Sequence, residues 1–401
     1  DLGNNFNKKI TTKKSHTTES SIYLRKEILS ANQPLTGGCT GCTITYNGTQ
    51  NNLNLNSGDV FCIPNGFIFS GNINSLASGA TICVADGATF SPSNLNSPSG
   101  TINNYGQVTF GNSISVNTGF TFNNYGSVNV KEINQNGTAS FYNDSTAYWS
   151  YSSNLLLKNN SKFNNNGWLI ANSEMITDNG TTFENQGRTI INSNFNPDGK
   201  IINYGRIEVK GTANINSNAR VNNYCTIVVH SGIQMNGNRW RNWGKLFEIQ
   251  GGSNDEIQIN GKFINKGSGY VIGTDFTNNG NLRGNGNFYF TGVTKNNSIK
   301  FGQDGKGINF YDTGLPTNIL DLESPAPHAS VTKNIFTAPD TSSFSSDCSS
   351  LVASLVAVDV DTVMIDVLVC NPVNEGFDTT ISTNIYGQDS VTITHTIDLA
   401  S

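Results

Sequence analysis

An apolar residue, an asparagine two positions later and a glycine two further on recur along most of this chain at intervals near twenty residues. "FNNYG" (Phe122–Gly126), "FNNNG" (Phe163–Gly167) and "FENQG" (Phe183–Gly187) are clear instances. The glycine slot holds Gly66, Gly87, Gly106, Gly126, Ser145, Gly167, Gly187, Gly205, Cys225, Gly244, Gly267 and Gly280, in steps of 18 to 23 residues except the last, which is 13. Four residues before the slot stand Cys62, Cys83, Ile102, Phe122, Phe141, Phe163, Phe183, Ile201, Val221, Trp240, Phe263 and Phe276. Two residues before it, from the third unit on, stand Asn104, Asn124, Asn143, Asn165, Asn185, Asn203, Asn223, Asn242, Asn265 and Asn278.

A fixed period of this length marks a solenoid, because a unit of about twenty residues cannot bury its own apolar face and must share a core with its neighbours. Helix formers are scarce, whereas Asn and Gly, which favour turns, are abundant. The units are therefore strands and corners, and the expected fold is all-β: a parallel β-helix of about twelve coils. Identical slots then lie above one another. Phe122, Phe141, Phe163, Phe183, Trp240, Phe263 and Phe276 are expected in one interior stack. The asparagines share their parity and are expected to point inward near a corner, each amide bonded to the next to form a ladder. Asn185→Leu is expected to cost about 1–3 kcal/mol through unpaired neighbours. The glycine is expected to supply tight or left-handed backbone at the corner.

The chain divides by composition. Residues 1–30 form a polar arm with six basic and three acidic residues, net +3. Within the arm, "SSIYLRKEIL" places Ile22, Leu24 and Ile28 on one face of a strand suited to assembly. Residues 31–315 are the solenoid with an N-terminal cap. Residues 316–328, in "LPTNILDLESPAPH", read as a Pro-rich linker. Residues 329–401 alternate at period two and read as a small antiparallel, β-sandwich-like domain. From residue 321 to the end there are eleven acids against Lys333, net −10. The numbering starts at Asp1 without Met and without a leader, as expected of a processed chain. No apolar run is long enough to span a membrane.

The seven cysteines include Cys39 and Cys42 in "CTGC". No second pair at zinc spacing and no nearby histidine accompany them, so disulfides of an exported protein are expected in place of a metal. Cys62 and Cys83 occupy equivalent slots and suit either a coil-to-coil disulfide or two stacked thiols. Cys348 and Cys370 suit a staple in the C-terminal domain, and Cys225 a free buried thiol.

No catalytic motif, metal set or cofactor site stands out. The coil acids Asp178, Glu184, Asp198, Glu208, Glu248, Asp255, Glu256 and Asp275 do not recur at one slot, and Asp255-Glu256 reads as a protruding loop. His16, His230, His328 and His395 are far apart in sequence. Paired carboxylates, as a polysaccharide hydrolase or lyase needs, are not evident. An overall charge of −5 argues against nucleic acid as the main partner. Tyr105, Tyr125, Tyr204, Tyr224 and Trp243 precede the glycine slot with outward parity. They form either a stripe for glycans or a cover over the corner.

With its Asn-rich coils, "GGCTGCTITYNG" and "SIKFGQDGKGINFYDTG", the chain resembles secreted surface proteins and adhesins of the Bacteroidota over about residues 35–315. That resemblance implies export by type IX secretion and a place at the cell surface. It also implies O-glycosylation of the Asp-Ser/Thr pattern at Ser145, Thr362, Thr379 and Ser390. The expectation is a non-enzymatic structural or adhesive rod that assembles head to tail. A monomeric glycan-binding adhesin and a polysaccharide-cleaving β-helix are the other readings.

Overall fold

The computed structural model describes residues 38–237, 239–249, 255–267, 269–312 and 319–335, together with the strands Thr379–Ile385 and Val391–Ile397. All its elements are strands, and apart from one hairpin they pair in parallel between successive coils, so the fold is a β-solenoid. A regular coil has three strands, as in Lys162–Asn165, Trp168–Ala171 and Met175–Thr177. The first strands build a sheet of thirteen, from Ile44–Thr45 to Asn281–Gly284. The second face runs from Ile68–Phe69 to Thr332–Ile335, and the third begins at Asn52–Leu55.

Alternation fixes which side chains enter the core. In Thr121–Asn124 the second and fourth residues are buried and the others half-buried. Phe122 pairs with Phe141, Phe141 with Phe163 and Phe163 with Phe183, and further along Trp240 pairs with Phe263. These six expected core residues form one interior column, all at most 2 % exposed. Trp149, from the second face, wedges between Phe122 and Phe163 at ring distances of 4.7 and 5.1 Å.

The corner glycines work differently from the sequence expectation. Gly106, Gly126, Gly167, Gly187, Gly205 and Gly244 are not in the left-handed region. They are needed because the coil beneath comes too close: a Cβ at Gly187 would lie 2.1 Å from Gly167 O, and one at Gly205 2.0 Å from Gly187 O. Left-handed glycines instead occupy corners two residues longer, at Gly66 (φ 81°), Gly87 (φ 71°) and Gly267 (φ 34°). After a long corner the close-approach position falls two residues later or one. Gln107 N–H donates to Ala88 O, and Trp168 N–H to Ala147 O.

This shift corrects the first two coils. Phe61 and Ile82 stack beneath Ile102, whereas Cys62 and Cys83 align with the outward Asn103. The two cysteines are adjacent but not bonded to each other. The cap segment lies over them, with Cys42 bonded to Cys62 and Cys39 to Cys83. Cys225 is disulfide-bonded and not the free thiol expected.

The 13-residue step is also explained. Phe276 is buried but belongs to the third face, pairing with Ile257 and Thr294 in place of the Phe263 column. Asn278 and Gly280 therefore sit at a second corner, where Gly280 closely approaches Gly261 and Gly261 approaches Gly237. The two corners share one Asn-x-Gly grammar, and sequence alignment alone merges them.

Stacking does not stop at residue 315. Leu322–Glu323 pairs with Lys295–Asn296, and Thr332–Ile335 with Asn309–Asp312. The stretch expected as a linker thus contributes a further coil, and the expected domain start at 329 falls inside the stack. Beyond it, Thr379–Ile385 and Val391–Ile397 form an antiparallel hairpin. The arm with Ile22, Leu24 and Ile28, and the pair Cys348 and Cys370, lie outside the described residues.

Candidate functional site

The asparagine ladder is built as the spacing requires. From Asn104 through Asn124, Asn143, Asn165, Asn185, Asn203, Asn223 and Asn242 to Asn265, each Nδ2 donates to the next Oδ1 at 2.8 Å, or 3.0 Å at the last rung. All nine side chains are fully buried. The same amides also donate to a carbonyl beyond the corner of the next coil, such as Tyr148 O from Asn124 and Arg206 O from Asn185. Asn278 is the exception: it starts a separate pair with Asn296 on the third face. A further, exposed ladder joins Asn236, Asn260, Asn279 and Asn297. These residues are structural, and their amides are consumed by one another.

The outward aromatics also stack along the axis. Tyr204 and Tyr224 lie 4.8 Å apart at 9°, Tyr224 and Trp243 4.6 Å apart at 12°, and Tyr105 and Tyr125 4.9 Å apart at 10°. Ring faces therefore cover each other, and edges are what solvent meets. A sugar needs an open face to stack upon, so this geometry favours the corner-covering role over a glycan platform.

One cluster on the outer side of the second face was not legible as such from the sequence. Glu208 Oε2 accepts from Arg188 Nη2 at 3.4 Å and Arg206 Nη2 at 3.3 Å; Glu208 Oε1 meets Lys210 Nζ and lies 3.2 Å from His230 Nε2. The Arg188 guanidinium lies 4.7 Å over the Trp168 ring, a cation–π contact. Burial pushes the Glu208 carboxyl up, but His230 and the charges of Arg206 and Lys210 outweigh it and hold it well below the usual range. Arg188 and Arg206 share a register position because each follows a corner glycine. Lys210 and His230 are 20 residues apart, which in this fold means one coil. Read modulo the repeat, the sequence contained the signal; read linearly, it scattered it.

The acids are likewise less dispersed than expected. Glu256 opens the strand Glu256–Ile259 and is not in a loop, and it pairs in register with Asp275 of the next coil. Close by, Glu248 occupies an inward position that its neighbours fill with Val209 and Val229. Its Oε2 accepts from Thr274 N–H at 2.9 Å and sits beside Gly273, where a Cβ would come within 3.2 Å of it. Burial raises the Glu248 carboxyl, the Thr274 bond opposes this, and the charges of Asp255 and Asp275 add to the rise. At 5 % exposure it is shielded from any polymer lying on the surface.

A raised carboxyl stabilises the fold while protonated, and that contribution is lost as pH climbs from the unfolded value near 4.3 through the folded one. Glu248→Gln removes the charge and keeps an acceptor for Thr274. The variant is expected to melt above the parent at pH 7, with the gain gone at pH 4; thermal unfolding at the two pH values measures it.

No protein-family model, curated protein or solved structure matches the chain. Among the described residues no group of His, Cys, Asp and Glu is arranged to hold a metal ion, and no helix is long and apolar enough to cross a membrane.

Proposed function

We propose that this chain is an extracellular structural or adhesive protein, not an enzyme. Its solenoid is a stiff spacer, and copies join head to tail into a surface filament. The observation that carries this reading is the unbroken stack: thirteen strands in one sheet, with nine buried asparagines bonded rung to rung. Backbone and side-chain bonds both run along the axis, so bending at any coil must strain both. The two cap disulfides fit an oxidising compartment.

The joint is the part of the proposal drawn from the chain ends. The arm, residues 1–30, carries +3 and residues 321–401 carry −10, which favours their meeting and sets orientation. A strand centred on Ile22, Leu24 and Ile28 would add to a sheet edge of the next copy. One heterologous contact, repeated, gives an open filament. Deleting residues 1–30 is expected to leave a folded monomer at high concentration and low salt, as read by sedimentation velocity. Filaments formed by the truncated chain, or a full-length chain that stays monomeric, would end the strand-donation scheme.

A further inference from the structure

We propose that the outer side of the second face is a docking surface for the chain's own C-terminal segment, residues 348–370, and that a disulfide from Cys225 to Cys348 or Cys370 fastens the segment there. This goes beyond the structural reading and does not depend on the filament.

Burial is the first ground. A strand on the outside of a solenoid buries alternate residues, as Lys162–Asn165 and Arg239–Asn242 do on the first face. Tyr148–Tyr151, Trp168–Ala171 and Lys245–Glu248, on the second face, are buried at all four positions. The outward row Ser150, Ile170, Ile190, Glu208, Val228 and Phe247 runs through six successive coils, and none of the six is more than 7 % exposed. A parallel sheet buried on both sides has something packed on each. Tyr148, Trp168, Ile170 and Ile190 form an apolar cluster that takes no buried residue from another face among the described residues. Another part of the chain is therefore needed as the cover.

The cysteines select which part. Cys225 is disulfide-bonded, and its Sγ lies 3.7 Å from Thr226 Oγ1. Thr226 stands in the adjacent outward row, between Arg206 and Lys245, so the bond leaves from the margin of the buried surface. The two cap disulfides use four of the seven cysteines. Cys348 and Cys370 are the partners left within the chain, and the arm, residues 1–30, has no cysteine. A bond from Cys225 to either one takes it from the Cys348–Cys370 staple expected from the sequence.

The segment between those two cysteines fits the surface. Of the nineteen residues from 351 to 369, twelve are Val, Leu, Ile or Met, which suits an apolar cluster. Its charges are Asp359, Asp361 and Asp366, with no base. The face carries Arg206 and Lys210, together with Lys245 at 2 % exposure, and a lysine buried so deeply calls for an acid beside it. The arm, at +3, has the wrong charge for this face. Reach is sufficient as well: six coils span about 24 Å, and nineteen residues cover about 28 Å even when wound as a helix.

The test is made on the full chain, in its monomeric fraction, so filament formation does not enter it. Free thiols are blocked, the protein is digested without reduction, and linked peptides are identified by mass spectrometry. The expected result is a peptide pair joining Cys225 to Cys348 or to Cys370. A blocked Cys225, a Cys348–Cys370 link, or a Cys225 link found only in covalent dimers would overturn the proposal, the last by making a second copy the occupant. The apolar contact is read by limited proteolysis. Ile190→Asp buries a charge under the segment and should speed cleavage within residues 348–370 roughly tenfold, while Asn164→Asp on the exposed side of the first face should leave it unchanged. Equal cleavage of Ile190→Asp and the parent would also overturn it. Should Ile190→Asp fail to fold, the disulfide map of the parent still decides.

Discussion

Asn185→Leu is expected to destabilise the solenoid by about 3–5 kcal/mol, because each buried polar group stranded costs about 1–3 kcal/mol and several are stranded together. Asn185 Oδ1 accepts from Asn165 Nδ2 and from Thr189 Oγ1, and its Nδ2 donates to Asn203 Oδ1, Gly187 O and Arg206 O. Leucine has similar size and can make none of these bonds. The ladder therefore breaks in both directions: Asn165 Nδ2 and Thr189 Oγ1 lose their acceptor, Asn203 Oδ1 and Arg206 O lose this donor, and Gly187 O keeps its bond from Arg206 N–H. This exceeds the 1–3 kcal/mol expected from the sequence, which sees neighbouring asparagines but not the carbonyls across the corner. Equilibrium unfolding in urea measures it. A loss below about 1 kcal/mol would mean that the ladder contributes little beyond its backbone bonds.

Phe163→Ala is expected to cost about 3–5 kcal/mol by leaving a cavity that the stack cannot close. Phe163 is fully buried and touches Phe141, Phe183 and Trp149 at ring distances of 5.7, 6.0 and 5.1 Å. Backbone pairing on both sides fixes the coil spacing, so neighbouring coils cannot slide inward to fill the gap. In a solenoid each coil is stabilised through its two interfaces, and the cavity weakens both. Phe163→Leu should retain most of the stability. If Phe163→Ala unfolds at the parent's denaturant midpoint, the phenylalanine column is not the core.

Periodicity made the coil, the Phe column and nine of the ten expected ladder asparagines readable, because in a strand parity decides which side chains turn inward. Three things escaped it for physical reasons. Corners differ in length by two residues, which shifted the register of Cys62 and Cys83 and put them on the outer face. Two corners use the same Asn-x-Gly pattern, which misplaced Phe276, Asn278 and Gly280. Proline at 316, 325 and 327 suggests a linker, yet Leu322–Glu323 and Thr332–Ile335 still pair with the stack, because a coil needs only a few paired residues and leaves its turns free. The Glu208 cluster was hidden for a different reason: its members come from three coils, and only the repeat length converts their separations of 18 to 22 residues into contact.

Electron micrographs of the negatively stained full-length protein, at high concentration and low salt, test the central claim most directly. Thirteen stacked strands set a rod at least roughly 60 Å long, and end-to-end contacts should join such rods into filaments that dissolve as salt is raised. Compact particles with no long axis would contradict the rod, and separate rods under every condition would contradict the filament.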